Sequence, residues 1–384
     1  MHIAGIIAEY NPFHRGHRWQ IDEIRRRIGP ETAIIAVMSG NWVQRGDAAI
    51  TDKWTRARSA LEGGVDLVLE LPTLWAASSA EHFARGAASL LHASGVVDTL
   101  CFGSESADLE GLRAVARCLD QDSYRAELGR FTAEGTSFAT ARQAAVRSIL
   151  GQPAQLLSSP NDNLGVEYLR ALAALRSPIR PLALPRQGAG HDSQTESEYP
   201  SASLLRRHIL AGELPLDNPA ALRFNERGVL SILRTRTPED LAALPDCGEG
   251  LHNRLYEAIR SSTSLEQLYD TVKTKRYAHA RIRRLVLWAY LGLRATDRLS
   301  APPYLRVLGI GAQGRILLRR MTAEARIPLL VKPAHVRALS PSAQAVFALE
   351  SQCTNQYALC RRDRVSPCAL EWTTSPVRPL LSSS

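Results

Sequence analysis

What this 384-residue chain has little of narrows its class before any motif does. Cysteine is sparse: Cys101, Cys118, Cys247, Cys353, Cys360 and Cys368 form no CxxC pair and no tight group with histidine. That argues against a zinc knuckle or a disulfide framework and leaves reduced, mostly buried thiols as the expectation. Long apolar runs are missing, so no segment is fit to span a bilayer. The first apolar stretch, Ile3–Ala8, has no charged n-region, is too short for a secretory core and runs at once into Glu9, so a soluble, cytoplasmic protein with no membrane partner is expected. Neither a G-x-S-x-G elbow nor a Cys/His pair points to a covalent nucleophile, and no carboxylate cluster marks a metal. Internal repeats and low-complexity tracts are absent as well.

What is present is core and positive charge. Hydrophobic residues make up 45% of the chain, enough for a substantial core over at least two units. Lys and Arg number 47 against 38 Asp and Glu, a formal charge of +9, and the basic residues gather late in the chain. A polyanionic partner fits that balance, although charge alone does not say which.

The first part of the chain alternates short apolar runs with helical patterns. Ile3–Ala8, Thr32–Met38, Asp66–Leu71 and Val96–Phe102 read as strands; the segment after Gly16, Asp52–Glu62 and Ala80–His92 read as helices. Such units predict a Rossmann-like α/β core with a parallel, doubly wound sheet that collects ligands at the carboxyl ends of its strands. From Gly111 to Leu150 the apolar spacing is helical, and Ser158–Asn161 interrupts it before a further helix. Ile179–Leu184 returns to strand, followed by a Gly-rich loop, Arg186–Asp192. The division this gives is a catalytic core over residues 1–214 with a helical insertion at about 107–175, then a mainly helical basic region over 215–384.

The segment with the clearest chemistry is His14-Arg15-Gly16-His17, just past a buried strand and just before a helix. A helix N-terminus offers unpaired N–H groups and partial positive charge, which suits the phosphates of ATP. Gly16 allows close approach, and two imidazoles on one turn can donate to phosphoryl oxygens as charge develops. Asn11, Pro12 and Phe13 shape the loop. A second candidate, Ser201, Ser203 and Arg206 at the start of a helix, would cradle outer phosphates, although a serine there is also an ordinary N-cap. Gly103 closes a predicted strand where a ligand would sit, and Asn161 and Arg186 share its ambiguity between turn or surface and site. Arg45 and Lys53 follow the second strand and would face the cleft to bind phosphate or carboxylate. The run Lys273–Arg284 suits an RNA backbone through Lys273, Lys275, Arg276, Arg281, Arg283 and Arg284, with Tyr277 and His279 placed to stack.

Taken in order, these motifs make the chain resemble the tRNA(Met) cytidine acetate ligases, relatives of the HIGH-motif nucleotidyltransferases. The resemblance runs through Glu9–His17, Ser39–Gly46, Asp66–Pro72 (DLVLELP), Cys101–Glu105, Pro160–Tyr168 (PNDNLGVEY), Tyr199–Arg206, Gly250–Tyr256 (GLHNRLY), Lys275–Leu285 and Tyr304–Gly309 (YLRVLG). It implies an enzyme that converts acetate and ATP to acetyl-adenylate and acetylates the wobble cytidine of elongator tRNA(Met) to N4-acetylcytidine. It also implies ATP contacts from Ile7, Ala8, Glu9, Tyr10, Asn11, Pro12, Phe13, His14, Arg15, Gly16, His17, Arg18, Trp19 and Gln20, and from Gly103, Asn161 and Arg186, with His14 and His17 as the catalytic pair. Mg²⁺ is expected to accompany ATP. The chain departs from the family at Asp162, where a second Asn is commoner, and at Trp42, where Phe is. Two other readings fit the motifs: adenylation of a small phosphate metabolite, which would not need the basic C-terminal surface, and a non-enzymatic RNA-binding protein.

Overall fold

The computed structural model describes residues 1–186, 201–248 and 250–380. Seven strands form its central sheet: β1 (Ile3–Ala8), β2 (Ala33–Ser39), β3 (Leu67–Leu71), β4 (Thr99–Ser104), β5 (Arg180–Pro185), β6 (Leu305–Ile310) and β7 (Leu329–Leu330). Their spatial order is β5-β4-β1-β2-β3-β6-β7. The first five are parallel to one another, as the β-α-β reading requires.

Two corrections follow from the other edge. β6 runs antiparallel to β3, and β7 pairs parallel with β6, so the sheet is mixed rather than parallel throughout. Both strands come from beyond residue 214, and the expected division there is not a division of the sheet.

The strand residues read as continuous apolar runs because both faces are covered. Alternate side chains enter two layers: Ile3, Ile35, Leu67 and Leu69 on one face, Ala4, Ile6, Ile34 and Val68 on the other. Helices α1 (Arg15–Ile28) and α2 (Lys53–Glu62) cover the second face through Ile21, Ile24, Ala57 and Ala60. Helix α3 (Ala80–Ala93) covers the first through Phe83, Ala87 and Leu91. Because the chain winds outward from β1 to β3 and then returns to β4 on the opposite side of β1, the loops after β1 and β4 diverge and leave a crevice between them.

Between β4 and β5 lie helices Leu109–Leu119, Asp122–Ala133 and Phe138–Leu150, then α4 (Pro160–Ala174). The sequence break at Ser158–Asn161 is the start of α4, with Ser159 as N-cap and Pro160 in the first turn, where its missing N–H costs nothing. α5 (Ala202–Ala211) leads into a helical region that includes α6 (His279–Leu291) and α7 (Pro341–Ala358). Among the described residues no helix is long and apolar enough to cross a membrane. The six cysteines are free thiols, all buried except Cys368.

Lys53 corrects a further expectation. Rather than facing the cleft, it is 0% exposed, with Nζ 2.5 Å from both Glu70 Oε1 on β3 and Glu371 Oε2, and 4.0 Å from Glu350 Oε1 on α7. Arg306 on β6 joins the group, 3.6 Å from Glu371. An ammonium buried this deeply needs those carboxylates as partners and has none of its charge left for a phosphate. The cluster fastens β3 and α2 to the last part of the chain.

Candidate active site

The crevice is built first by the turn after β1. Asn11 is buried, and its Oδ1 accepts the Ile50 N–H at 2.7 Å, which fixes the approach to α1. His14 is the N-cap of α1: its Nδ1 accepts the Gly16 N–H at 3.1 Å, while His17 Nδ1 accepts the His14 N–H at 3.2 Å. This is a capping box made from two imidazoles in place of a serine and a glutamate.

The hydrogen bonds settle the tautomers. A ring nitrogen that accepts an N–H carries a lone pair, so each neutral imidazole holds its proton on Nε2. Burial, with Arg186 and Arg206 nearby, pushes His14 down to about 4; burial, then His14 and Arg186, holds His17 well below its usual value. The two rings stack with centroids 3.8 Å apart. They are neutral near pH 7, and each keeps an Nε2–H to donate. A Cβ at position 16 would stand 2.9 Å from the His14 ring, which is why glycine is required there.

Around them the cleft encloses about 250 Å³. Ile7, Ala8, Glu9, Tyr10 and Asn11 border it from the β1 turn, Trp19 and Gln20 from α1, and Gly103 from the end of β4. Arg186, at the end of β5, passes over Gly103, where a Cβ would lie 3.3 Å from the arginine Cγ. Ser201, Ser203 and Arg206 at the start of α5 also line it. Ser201 also serves the ordinary capping role, its Oγ accepting the Leu204 N–H at 3.2 Å. Arg206 donates to the Asn11 carbonyl at 2.5 Å and to Ser203 Oγ at 3.1 Å, so it ties α5 to the histidine turn.

Asn161 lines the cleft from the first turn of α4, its Nδ2 donating to Glu105 at 2.5 Å. The same carboxylate accepts the Asn161 and Asp162 N–H groups at 3.1 and 2.9 Å, a negative charge at the positive end of a helix. Asp162 is 1% exposed and takes bonds from Ser104 Oγ and the Ser106 N–H. It stitches the β4 loop to α4, whereas Asn161 faces the cleft.

Not every expected residue is brought in. Phe13 packs against Tyr10 with centroids 5.1 Å apart and fills the space beside Gly63; Arg18 pairs with Asp22 at 3.3 Å; Pro12 and Arg15 also stand outside the lining. The Gly-rich loop from Gln187 to Asp192, and Tyr199 and Pro200, lie outside the described residues.

Sequence reasoning also passed over an apolar wall of Phe83, Phe102, Leu164 and Tyr168, in which Phe102 and Tyr168 meet edge to face at 5.7 Å. A signal was available: Asn161, Leu164 and Tyr168 fall at i, i+3 and i+7 on one face of α4. Gln44 and Arg45 border the cleft from the segment after β2, where the sequence placed them.

The basic run divides. Lys273, Lys275 and Arg276 are exposed in the segment before α6. The other three have protein partners: Arg281 Nε donates to the Asp246 carbonyl at 2.9 Å, Arg284 to the Gln44 carbonyl at 3.3 Å, and Arg283 sits 3.9 Å from Asp47 and over the Tyr269 ring. Gly46, at φ +76°, presses on the backbone of Arg283 and Arg284, where a Cβ would come within 2.5 Å. Start of α6 and cleft loop are therefore one packed unit.

The model of the HIGH Nucleotidyl Transferase family matches residues 1–369 of the chain. The tRNA(Met) cytidine acetate ligase of Clostridium novyi is 34% identical, over 94% of this chain and 96% of its own length. That of Syntrophomonas wolfei is 34% identical over 98% and 99%. Among solved structures, Thermotoga maritima TmcAL superposes in an apo form with a TM-score of 0.88 at 30% identity, covering 99% of this chain and 100% of the other. The same protein bound with alpha-thio ATP superposes with a TM-score of 0.87, with equal identity and coverage.

Proposed function

The chain belongs to the HIGH nucleotidyl transferase family and, within it, to the tRNA(Met) cytidine acetate ligases, and from that premise we propose a two-step acetylation of RNA. In the first step an acetate oxygen attacks the α-phosphate of ATP and pyrophosphate leaves. In the second, the exocyclic amine of the wobble cytidine of elongator tRNA(Met) takes the acetyl group from acetyl-adenylate, giving N4-acetylcytidine and AMP. Making AMP the leaving group removes the need for an enzyme nucleophile.

The observation that carries this reading is the pair of neutral imidazoles with Nε2–H groups after β1, lining one cleft with Arg186 and Arg206. Donors held in place before charge develops stabilise the transition state of adenylation, about 3 kcal/mol for one such donor. Arg206 and Arg186 offset the charge of the departing pyrophosphate. The alpha-thio ATP complex of the Thermotoga relative supports ATP as the occupant.

Among the described residues no group of three or more His, Cys, Asp or Glu could hold a metal ion. The described residues thus offer no ready-made cage for a metal, and an Mg²⁺ ion accompanying ATP would be held chiefly by the phosphates and its own waters.

Lys273, Lys275 and Arg276, exposed next to a helix packed on the cleft loop, favour RNA over a small phosphate metabolite as the acceptor. The test is incubation with ATP, acetate and tRNA followed by mass analysis of the wobble base, for wild type and His17→Ala. Acetylcytidine with the wild type alone is expected. Absence of acetate-dependent AMP formation with every tRNA would overturn the proposal, and undiminished RNA function in His17→Ala would favour a binding protein.

A further inference from the structure

Acetyl transfer to an amine releases a proton that the cleft must accept. The cytidine N4 lone pair forms a bond to the acyl carbon, the bond from that carbon to the phosphate oxygen breaks, and AMP leaves with the electron pair. One N4 proton must then leave for the product to be a neutral amide.

We propose that Glu9 is the group that accepts this proton, an inference that rests on the acetyl-transfer reading above. The two histidines are excluded by their own hydrogen bonds: with both Nδ1 atoms accepting backbone N–H groups, each Nε2 already carries a proton and can only donate. Burial pushes the Tyr10 phenol up, and burial with Glu9 beside it does the same to Tyr168, so both stay protonated. The arginines are cations with no lone pair to offer. Among the described residues that line the cleft, Glu9 is the one carboxylate.

Its placement fits the second step. Glu9 follows the last residue of β1, and its backbone carbonyl is anchored by Arg56 Nη1 at 2.6 Å. Its Oε1 accepts the Gln44 N–H at 2.8 Å, and the Gln44 carbonyl in turn accepts from Arg284 at 3.3 Å. One residue thus connects the carboxylate to α6, the helix that the exposed basic segment leads into. The second carboxylate oxygen of Glu9, Oε2, has no hydrogen-bond partner among the described residues. The proton passes from N4 to this carboxylate and then to water as AMP departs.

The experiment separates the two steps in the full chain. Acetate-dependent exchange of labelled pyrophosphate into ATP reads adenylation; single-turnover acetylation of tRNA by enzyme-bound acetyl-adenylate reads transfer. Glu9→Gln retains an acceptor for the Gln44 N–H, so the loop keeps its anchor. Transfer in this variant is expected to fall about 10²-fold or more, and by at least about tenfold more than exchange. Glu9→Asp, which keeps a base on a shorter arm, should transfer faster than Glu9→Gln. Transfer at the wild-type rate in Glu9→Gln, equal losses in both steps, or Glu9→Asp as slow as Glu9→Gln would each overturn the inference. Wild-type enzyme without acetate-dependent exchange would instead overturn the functional reading, and the inference with it.

Discussion

At the scale of the residue, each histidine does two jobs through two different nitrogens. Nδ1 caps a helix, and Nε2 is left for the substrate. The jobs can be separated, because asparagine is an equally good N-cap but has no donor at the reach of Nε2. His14→Asn is expected to change stability by less than about 1 kcal/mol and to lower acetate-dependent pyrophosphate exchange by about 10²-fold or more, measured by urea midpoint and exchange assay on the same preparation. The lowered proton affinity makes a second prediction. An NMR titration should show His14 protonating near pH 4, with no transition near 6.5 from either ring of the pair.

The histidine turn was legible in the sequence because its residues are adjacent and sit at a strand-to-helix junction. The roles of its atoms were not, since they depend on which nitrogen meets which N–H. Lys53 misled for a related reason: a lysine after a strand looks available until Glu350 and Glu371, some 300 residues on, arrive beside it.

At the scale of the element, the loop between β2 and α2 matters most. Its residues Gln44 and Arg45 border the cleft while Gly46 is wedged against the start of α6. A side chain at position 46 faces both the left-handed backbone, φ +76°, and a collision with the Arg283–Arg284 backbone. Gly46→Ala is expected to cost more than about 1 kcal/mol, with the midpoint in urea as the measure. It should weaken acetyl transfer more than pyrophosphate exchange, since the displaced loop is the one that holds Glu9. That the basic run enters a helical region could be read from the sequence. That Arg281, Arg283 and Arg284 turn toward protein could not, because a carbonyl acceptor such as that of Gln44 leaves no mark in a sequence.

At the scale of the whole molecule, the buried cluster of Lys53, Arg306, Glu70, Glu350 and Glu371 couples stability to pH. Burial, with Glu371 and Glu350 adding to it and Lys53 opposing, pushes Glu70 up to about 8. Glu371 moves the other way: burial would raise it, but Lys53 and Arg306 outweigh that and hold it below the usual range. Between the ordinary carboxylate value and about 8, the folded chain keeps a proton on Glu70 that the unfolded chain releases. At this group the native state then binds more protons, so its contribution to stability falls as pH rises through that window, by on the order of 1 kcal/mol per pH unit. Urea midpoints of the wild type relative to those of Glu70→Gln should therefore decline from pH 5 to pH 8, on top of a rise up to about pH 6.5 that both proteins share, because folding lowers the proton affinity of His14 and His17. A difference between the two proteins that grows with pH over this range would contradict the assignment.

The five parallel strands and their helices followed from local apolar runs, and their boundaries agree with the structure to within a few residues. The last two strands did not, because β6 is placed by pairing with β3 across more than two hundred residues, and no local pattern records a partner so distant.

That pairing also sets the order in which the protein can come into being. The edge of β3 stays open, and Lys53 lacks two of its three carboxylates, until the chain has been made past Glu371. A fragment ending at residue 214 carries the histidine turn and most of the cleft, yet is expected to be cut rapidly by protease and to turn over no ATP. If the proposed reaction holds, the adenylating centre would become competent only after the segment that would bring RNA to it has been synthesised, and a half-made chain would not release activated acetate to water.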